Sequence, residues 1–366
     1  MSTLVLDARW LNTGLGTYTL NLIRGLRRYG DFGVRLLTLP KYQDCLRQYD
    51  YEITITDVPI YSVSEQFKIA WAAHGSNLLH VPHYNAPIAR RGTLLVTIHD
   101  LTHILDATQR KTLKSWVYAQ PMLRLAAIRA DHIFTVSEYS KRQIMEHLGV
   151  DGGKVTVVYN AFGPRIFPEG REAARATTQQ DFSFDGPYIL FVGNLKPSKN
   201  VAGLLKAFSV VKTSGRIPHR LLVIGDDTAG RSATMKLAQQ LGVEGAVTFV
   251  PRVSDDQLRF AYSGADLTVM PSFEEGFGLP ILESMACGTP VACSHSASLP
   301  EVGGAAAEYF DPHDVESIAA AIETVLLSSD RWRDLQQLGF LRADRFTCAD
   351  FAQRHLAVYR KFMDET

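Results

Sequence analysis

The sequence predicts an α/β protein made of two parallel-sheet halves. Short apolar runs alternate with segments of helical periodicity along the whole chain, which is typical of parallel sheets. The alternation stops in a polar stretch at 166–184 and restarts beyond it. A length of 366 residues with 46% apolar residues is enough for two hydrophobic cores. We therefore expect domains at 1–165 and 185–349, with a linker at 166–184.

The first half opens with a strand in TLVLDA and a helix in TYTLNLIRGLRRYG. Tyr18, Leu22 and Leu26 fall on one stripe of this helix, which should end at Gly30. A later helix, SEYSKRQIMEHLG, has Ser137 as its expected N-cap. Further strands are expected in VRLLTL, YEITIT, NLLHVP, TLLVTIHD, HIFTVS and KVTVVYNA.

The second half repeats the alternation. Ser254 and Gln257 have the spacing of a capping box before the helix in LRFAYSGA. Pro280 and Gly288 mark the first turn and the end of the helix in PILESMACG. Strands are expected in YILFVG, HRLLVIGD, AVTFVP, LTVMPS and PVACS, and further helices in NVAGLLKAFSVVKTSG, SATMKLAQQLG, DVESIAAAIETVLLS and near the C-terminus.

The charge is balanced overall but uneven along the chain. Residues 1–160 hold 18 basic and 13 acidic side chains, whereas 161–366 hold 20 and 25. This asymmetry favours an anionic partner for the first half, and a chance imbalance of surface charge is the alternative. Nucleic acid is not expected, because no recognition motif accompanies the basic residues. The basic residues fit an anionic membrane surface or a diphosphate-linked lipid acceptor as partner, and they also fit solvated helix faces. They are Arg24, Arg27, Arg28, Arg110, Lys111 and Lys114.

Cysteine usage and hydropathy point to the cytoplasm. The four cysteines form no Cys-x-x-Cys motif, so we expect reduced thiols. No apolar run approaches the ~20 residues that cross a bilayer. The start, MSTLVLDARWL, lacks the order of a signal peptide and is better explained as a first strand.

The stretch PSFEEGFGLPILESMACGTP carries the strongest functional signal. The expected strand LTVMPS ends within it, at about Ser272, and a helix should begin near Leu279; ligands of parallel sheets bind where strands end and helices begin. Gly276 and Gly278 let backbone amides approach a ligand closely, and the helix start favours phosphate oxygens. Glu283, about one turn into the helix, can accept two hydrogen bonds from a ribose diol. Glu275, on the loop, can reach another part of the same ligand.

This stretch resembles the Glu-x7-Glu signature of the retaining glycosyltransferases of family 4, which have the GT-B fold. The segments LNTGLGTYTLNL, VTIHDLTHI, FTVSEYSK and FVGNLKPSKN are similar to further family segments, and SLPEV to one frequent in mannosyltransferase-like members. The resemblance implies two Rossmann-like domains facing each other across a cleft. The first would bind the acceptor and the second the nucleotide sugar, with a C-terminal helix at about 350–366 packing back on the first.

Three catalytic residues follow from the resemblance, namely Lys199, Glu275 and His99. Lys199 would hold the diphosphate and stabilise the charge on the leaving nucleotide; the alternative is a solvated surface charge. The family usually pairs this lysine with an arginine, at the position of Asn194 or Ser198 here, so Lys196 is a candidate substitute. His99 would contact the transferred sugar, or is a core histidine bonded to a backbone group.

The remaining donor-binding residues are also taken from the resemblance. Val253 and Leu258 would cradle the base, with a place in the core as the alternative. Gly14 and Gly16 form the first glycine loop, in which Thr17 stands where the family often has arginine. The whole donor-binding set is Gly14, Gly16, Ser137, Asn194, Lys199, Val253, Leu258, Gly276, Phe277, Gly278, Leu279 and Glu283.

A metal site is the competing interpretation for the first-half histidines, His80, His83, His99 and His103. Their spacing is loose and no acidic cluster completes a ligand set. We therefore expect no metal and no cofactor.

The resemblance implies transfer of a hexose with retained anomeric configuration from a nucleoside-diphosphate sugar to a hydroxyl of a glycan or lipid-linked acceptor. GDP-mannose is the favoured donor and UDP-glucose or another UDP-hexose comes next. Polysaccharide biosynthesis in the cytoplasm, or on the inner face of the cell membrane, is the expected setting. A nucleotide-sugar 2-epimerase and a non-catalytic nucleotide-sugar-binding subunit are the alternatives.

Overall fold

The computed structural model describes residues 3–11, 15–102, 113–225 and 228–364, with the backbone alone at 113–119 and 228–229. The chain divides into two compact units, each with one parallel sheet. Unit 1 comprises Met1–Ala161 and Thr347–Thr366, and unit 2 comprises Phe162–Phe346. Within the described ranges, no helix is long and apolar enough to span a bilayer.

Unit 1 contains a seven-stranded sheet in the order β3-β2-β1-β4-β5-β6-β7. All of its described pairs are parallel. Its strands are β1 Thr3–Asp7, β2 Gly33–Thr38, β3 Glu52–Ile55, β4 Leu78–Val81, β5 Thr93–Thr97, β6 His132–Thr135 and β7 Val155–Val157. Its helices are α1 Gly16–Tyr29, α2 Gln43–Arg47, α3 Val63–Ala72, α4 Leu113–Arg129, α5 Glu138–Leu148 and, after unit 2, α14 Cys348–Asp364.

Two helical layers cover this sheet. Helices α3, α4 and α5 contribute to one core with β1, β4, β5 and β6, for example through Ile69, Leu123 and Ile144. Helix α1 packs against α14, and a Cβ at Gly25 would lie 2.4 Å from the Cβ of Ala352. The C-terminal helix is thus part of unit 1.

Unit 2 contains a six-stranded parallel sheet in the order β10-β9-β8-β11-β12-β13. Its strands are β8 Tyr188–Val192, β9 Arg220–Ile224, β10 Val247–Val250, β11 Leu267–Met270, β12 Val291–Ser294 and β13 Ala307–Phe310. Its helices are α6 Arg171–Phe182, α7 Val201–Thr213, α8 Thr228–Gln240, α9 Asp255–Gly264, α10 Leu279–Ala286, α11 Leu299–Gly303, α12 Val315–Leu326 and α13 Ser329–Ala343.

The segment expected to be a linker, 166–184, contains helix α6, which packs against α9 inside unit 2. Its buried residues are Ala174 and Thr178, which are small or polar, so hydrophobic periodicity does not reveal it. Polar contacts hold it instead, because Arg171 and Arg175 both pair with the carboxylate of Asp266. The linker prediction was therefore wrong for this segment.

The helix ends follow the local chemistry of the sequence. Ser137 caps α5, with its Oγ accepting a hydrogen bond from the Ser140 amide at 2.9 Å. Ser254 and Gln257 form the complete capping box of α9, and Gly30 ends α1. These three predictions are confirmed.

Candidate active site

The strand order of unit 2 reverses between β8 and β11, which are neighbours in the sheet. In open α/β sheets, ligands bind at such a reversal, outside the carboxyl ends of the strands. The loop after β8 carries Lys199, and the loop after β11 carries Glu275. The amide of Phe273 donates to the carbonyl of Ser198 at 2.9 Å and ties the two loops together.

The structure brings Lys199 and Glu275 into direct contact. The ammonium Nζ lies 2.6 Å from Glu275 Oε1, and the two side chains are 18% and 10% exposed. Ser272 Oγ donates to the same oxygen at 2.9 Å. Among the described residues, every hydrogen bond to this carboxylate falls on Oε1. Oε2 and the remaining ammonium hydrogens are therefore available to a ligand.

Three serines fix the shape of the Glu275 loop. Besides the contact from Ser272, Ser298 Oγ donates to the Glu275 carbonyl at 2.9 Å and Ser294 Oγ donates to the Ser272 carbonyl at 2.5 Å. All three serines are buried. Sequence reasoning missed them, although Ser298 is the first residue of the SLPEV segment that carried part of the resemblance.

Between Glu275 and the helix, the chain turns through a left-handed glycine. Gly278 has φ of +98°, and a Cβ there would lie 2.5 Å from Leu299 Cδ2, so glycine is required twice over. Helix α10 begins at Leu279, as the sequence predicts, without a side-chain cap bond at Gly278. Phe277 is buried with its ring edge-on to Phe346, at 5.9 Å between centroids. The loop thus directs the start of α10 toward the same strand ends.

Glu283 lies in the second turn of α10 and is buried together with Tyr262 from α9. The Tyr262 hydroxyl donates to Glu283 Oε2 at 2.9 Å, and among the described residues no hydrogen bond reaches Oε1. Burial raises the pKa of Glu283 to about 7, the charge of Asp255 adds to the shift, and the Tyr262 hydrogen bond opposes it. Sequence reasoning missed Tyr262, because its partner is 21 residues away.

The loop after β8 contains no second basic residue in the expected position. The Asn194 side chain accepts a hydrogen bond from the Lys196 amide at 3.3 Å, and the Lys196 side chain is exposed. A Cβ at Gly225 would lie 1.9 Å from the Gly193 carbonyl, so the loops after β8 and β9 touch through their backbones.

Val253 and Leu258 lie at the start of α9, half-buried, and neither belongs to the described hydrophobic core of unit 2. Their side chains therefore retain surface that a flat ligand can cover, and their role as contacts of the base stays a prediction.

In unit 1, His99 follows β5 and donates from Nε2 to the Pro82 carbonyl at 3.2 Å. Its ring is edge-on to Tyr18, at 4.8 Å between centroids. Burial lowers the pKa of His99 to about 4, so the imidazole is neutral at physiological pH. The hydrogen bond from His99 to the Pro82 carbonyl is the backbone contact that the core-histidine alternative predicts.

The predicted first glycine loop is only partly described. Gly16 begins α1, and a Cβ there would lie 2.0 Å from the Leu11 carbonyl, so the close approach requires glycine. Gly14 lies outside the described residues.

Two family models match the chain. "Glycosyltransferase Family 4" matches residues 12–164 and "Glycosyl transferases group 1" matches residues 175–339. The chain belongs to the family 4 glycosyltransferases. It is a hexosyltransferase with two parallel α/β units of the GT-B fold.

Relatives of this glycosyltransferase include bacterial mannosyltransferases. It is 29% identical to the O-antigen chain mannosyltransferase B of Escherichia coli over 83% of this chain and 80% of that protein. It is 25% identical to the O-antigen chain mannosyltransferase RfbU of Salmonella typhimurium over 86% and 87%. The crystal structure of Anabaena Alr3699/HepE in complex with UDP and glucose matches with a TM-score of 0.81, at 18% identity, covering 99% of this chain and 100% of that one.

The histidines of the glycosyltransferase do not gather as metal ligands in the described ranges. Both ring nitrogens of His80 are hydrogen-bonded, to Tyr359 and Thr97, and His83 Nδ1 accepts from the Asn85 amide. The described residues contain no group of three His, Cys, Asp or Glu that could hold a metal. His103 lies outside them.

Four of the six basic residues named from the sequence fall on helices α1 and α4. Right-handed crossovers place α1 and α4 on opposite faces of the sheet, because the β1–β2 and β5–β6 connections run in opposite directions along it. Lys114 belongs to α4, whereas Arg24, Arg27 and Arg28 belong to α1. Arg27 is paired with Asp50 at 3.3 Å. Arg110 and Lys111 lie outside the described residues.

Proposed function

We propose that this glycosyltransferase moves a hexose from a nucleoside-diphosphate sugar to a hydroxyl of a glycan or lipid-linked acceptor, with retention of the anomeric configuration. The observation that carries the proposal is the assembly of Lys199, Glu275 and Glu283 at the strand-order reversal of unit 2. A cation, a helix start and two carboxylates with one available oxygen each fit a molecule that has both phosphates and hydroxyls.

The donor we favour is GDP-mannose. The support comes from the mannosyltransferase names of the relatives and from the SLPEV segment that begins at Ser298. A UDP-hexose is the next candidate, supported by the structural neighbour that holds UDP and glucose. The same relatives support O-antigen or related glycan synthesis as the setting.

In the proposed complex, the Lys199 ammonium contacts the diphosphate while keeping Glu275 in reach, since it has three donor hydrogens. The start of α10 adds partial positive charge on the other side of the phosphates. Glu283 accepts the ribose hydroxyls through the oxygen that Tyr262 does not use. Val253 and Leu258 cover the base, and His99 stays a predicted contact of the transferred sugar.

The proposed reaction proceeds on one face of the sugar. The bond between the anomeric carbon and the phosphate oxygen breaks, and the acceptor oxygen attacks from the side that the leaving group vacates. The acceptor proton passes to the leaving phosphate oxygen. Glu275 Oε2 anchors a sugar hydroxyl and forms no bond to carbon. Lys199 and the helix amides stabilise the negative charge on the leaving diphosphate, so the proposal needs no metal.

The test is incubation of the purified enzyme with GDP-mannose, UDP-glucose and other UDP-hexoses, with and without acceptor glycans, followed by proton NMR of the products. We expect an acceptor-dependent product with the anomeric configuration of the donor. An inverted product would refute the mechanism. Epimerised donor in the absence of acceptor would identify a 2-epimerase, and calorimetric binding without turnover would identify a non-catalytic subunit.

Two variants in one loop provide the internal control. Lys199→Ala should abolish most transfer, whereas Lys196→Ala, which removes an exposed lysine three residues earlier, should keep it. Transfer at the wild-type rate in Lys199→Ala would remove Lys199 from the site, and a loss in Lys196→Ala would identify Lys196 as the substitute for the missing arginine. We also infer a cytoplasmic setting, supported by a sequence whose four cysteines form no Cys-x-x-Cys motif.

A further inference from the structure

A chain of hydrogen bonds crosses the core of unit 1 from the C-terminal helix α14 to the first turn of α1. Its members are Tyr359 and His355 of α14, His80 of β4, Thr97 of β5 and Tyr18 of α1. Tyr18 is 4% exposed and the other four are fully buried. Tyr359 Oη lies 2.6 Å from His80 Nδ1, and His80 Nε2 lies 2.8 Å from Thr97 Oγ1. Tyr18 Oη lies 2.9 Å from Thr97 Oγ1 and 2.7 Å from His355 Nε2.

One backbone contact fixes the direction of every bond in this chain. His355 Nδ1 lies 2.8 Å from the Phe351 carbonyl, which can only accept, so Nδ1 carries a ring hydrogen. Burial lowers the pKa of His355 to about 4, so the ring is neutral and has no second hydrogen. Its Nε2 therefore accepts the hydrogen of the Tyr18 hydroxyl.

The remaining bonds follow in turn, because each hydroxyl has a single hydrogen. Tyr18 Oη has donated its hydrogen to His355, so it accepts from Thr97 Oγ1, and Thr97 in turn accepts from His80 Nε2. Burial lowers the pKa of His80 well below its ordinary value, so this ring is also neutral and its Nδ1 accepts from Tyr359. The Tyr18 hydroxyl is thus held by two hydrogen bonds of fixed direction.

The ring of Tyr18 is held by aromatic neighbours as well. Phe351 and His355 lie edge-on to it, with centroids at 5.0 Å and 5.5 Å. His99 is its third edge-on neighbour, at 4.8 Å. Because Tyr18 cannot tilt without breaking both bonds at its hydroxyl, the position of the His99 ring depends on His355.

Two further contacts fix His99 and leave one ring nitrogen for a ligand. Ser140 Oγ donates to the His99 carbonyl at 3.0 Å, and His99 Nε2 donates to the Pro82 carbonyl at 3.2 Å. The neutral ring carries its hydrogen on Nε2, so Nδ1 has a lone pair, to which no described residue donates. His99 is half-buried and lies just beyond the carboxyl end of β5. A nitrogen in this state can only accept a hydrogen bond, which a sugar hydroxyl can donate.

We propose that His355 is a positioning residue for the transfer reaction: through Tyr18 it holds the His99 ring so that Nδ1 accepts a hydrogen bond from a hydroxyl of the transferred hexose. The inference rests on the proposed function, because that function brings the hexose to His99. It also makes the two roles considered for His99 compatible, because the backbone bond uses Nε2 and the sugar contact uses Nδ1.

Steady-state transfer separates this role from a loss of stability. His355→Leu should lower kcat by about tenfold or more, because a small displacement of a contact group is costly. Tyr18→Phe, which keeps the ring and removes only the hydroxyl, should show a loss of the same order and decides the question if His355→Leu does not fold. His355→Gln should recover most of the activity, since its side-chain oxygen can accept the Tyr18 hydrogen in place of Nε2.

The matched control is Tyr359→Phe, which removes one buried hydrogen bond from the same helix at the far end of the chain. Both Tyr359→Phe and His355→Leu should unfold at a lower temperature than wild type, because each loses a buried hydrogen bond. Only His355→Leu should lose transfer. An equal loss of kcat in Tyr359→Phe would overturn the proposal, because α14 would then act through stability alone.

A double-mutant cycle tests whether His355 acts through His99. His99→Ala/His355→Leu should transfer no more slowly than His99→Ala alone, because the ring that His355 positions is already absent. Losses that multiply in the double variant would contradict the proposal, as would transfer at the wild-type rate in His99→Ala.

A measurement without substrate keeps this inference apart from the proposed function. In nitrogen NMR of the isotope-labelled histidine rings, His99 should have a protonated Nε2 and an unprotonated Nδ1 in wild type and in Tyr359→Phe, and His99→Ala identifies its signals. His355→Leu and Tyr18→Phe should give a mixture of tautomers, because the ring can then leave the Pro82 carbonyl. Unchanged His99 signals in both variants would refute the positioning role. A chain that gives these spectra but transfers no hexose would refute the proposed function and support the positioning of His99.

Discussion

The affinity of the enzyme for its nucleotide sugar should depend on pH through Glu283. Burial raises the pKa of this carboxyl to about 7, which puts its titration in the physiological range. The ionised carboxylate can accept hydrogen bonds from both ribose hydroxyls, whereas the protonated carboxyl carries a hydrogen on one oxygen and must donate a hydrogen bond with it. We therefore predict that the donor binds the ionised enzyme.

The size of the effect follows from the fraction of enzyme that is ionised. With a pKa of about 7, that fraction is about one in eleven at pH 6, one half at pH 7 and nine tenths at pH 8. Apparent Kd is the intrinsic Kd divided by this fraction, so it should be about tenfold higher at pH 6 than at pH 8. The direction of the pH dependence follows from the raised pKa, because Glu283 is mostly neutral below about pH 7. Donor binding should therefore strengthen as the pH rises through about 7.

The assay is isothermal titration calorimetry with the intact nucleotide sugar, whose diphosphate does not titrate in this range. The control is Glu283→Gln, which keeps the shape of the side chain but has no titrating proton. It should bind more weakly and with no dependence on pH between 6 and 8. If wild type and Glu283→Gln share the same pH profile, the carboxylate does not contact the ribose.

Three further outcomes are expected. Lys199→Ala should lower kcat/KM by about 10²–10³, because it removes a preorganised donor to the leaving diphosphate, while Lys196→Ala should stay near wild type in the same steady-state assay. Tyr262→Phe should move the pH midpoint of donor affinity upward, since the hydroxyl bond lowers the pKa of Glu283; an unchanged midpoint with an intact fold would contradict this positioning role. Gly278→Ala should lower the free energy of unfolding by about 1–3 kcal/mol in denaturant titration, because its φ of +98° and the neighbouring leucine exclude a Cβ.

Buried strands and well-capped helices could be predicted from the sequence. The strands of a parallel sheet are apolar on both faces, so runs such as those of β8 and β9 stand out without knowledge of the fold. The caps at Ser137 and Ser254 are local hydrogen bonds within three residues, which the sequence displays directly.

Helices α3 and α6 escaped prediction because polar side chains make up much of what they bury. Helix α3 turns Glu65 and Gln66 inward because Arg9 and the Ile88 amide lie there, and both partners are distant in sequence. Helix α6 is held by Asp266, about ninety residues away. Hydrophobic periodicity carries no information about such pairings, since they depend on the tertiary fold.

The residues that would contact the ligand could be predicted from the sequence, whereas the residues that hold them in position could not. The loop glycines, Lys199 and the two glutamates follow from their place between strands and helices. Tyr262 and the serines that hold Glu275 depend on which strands are neighbours, and the sequence does not state that β8 lies beside β11.

The central claim is that unit 2 holds the diphosphate at Lys199 and the ribose at Glu283. A crystal structure of the enzyme soaked with its nucleotide sugar tests it most directly. The account predicts phosphate density within hydrogen-bond distance of Lys199 Nζ and of the start of α10, with ribose hydroxyls on Glu283. A donor bound elsewhere in unit 2, with the Lys199–Glu275 pair untouched, would contradict it.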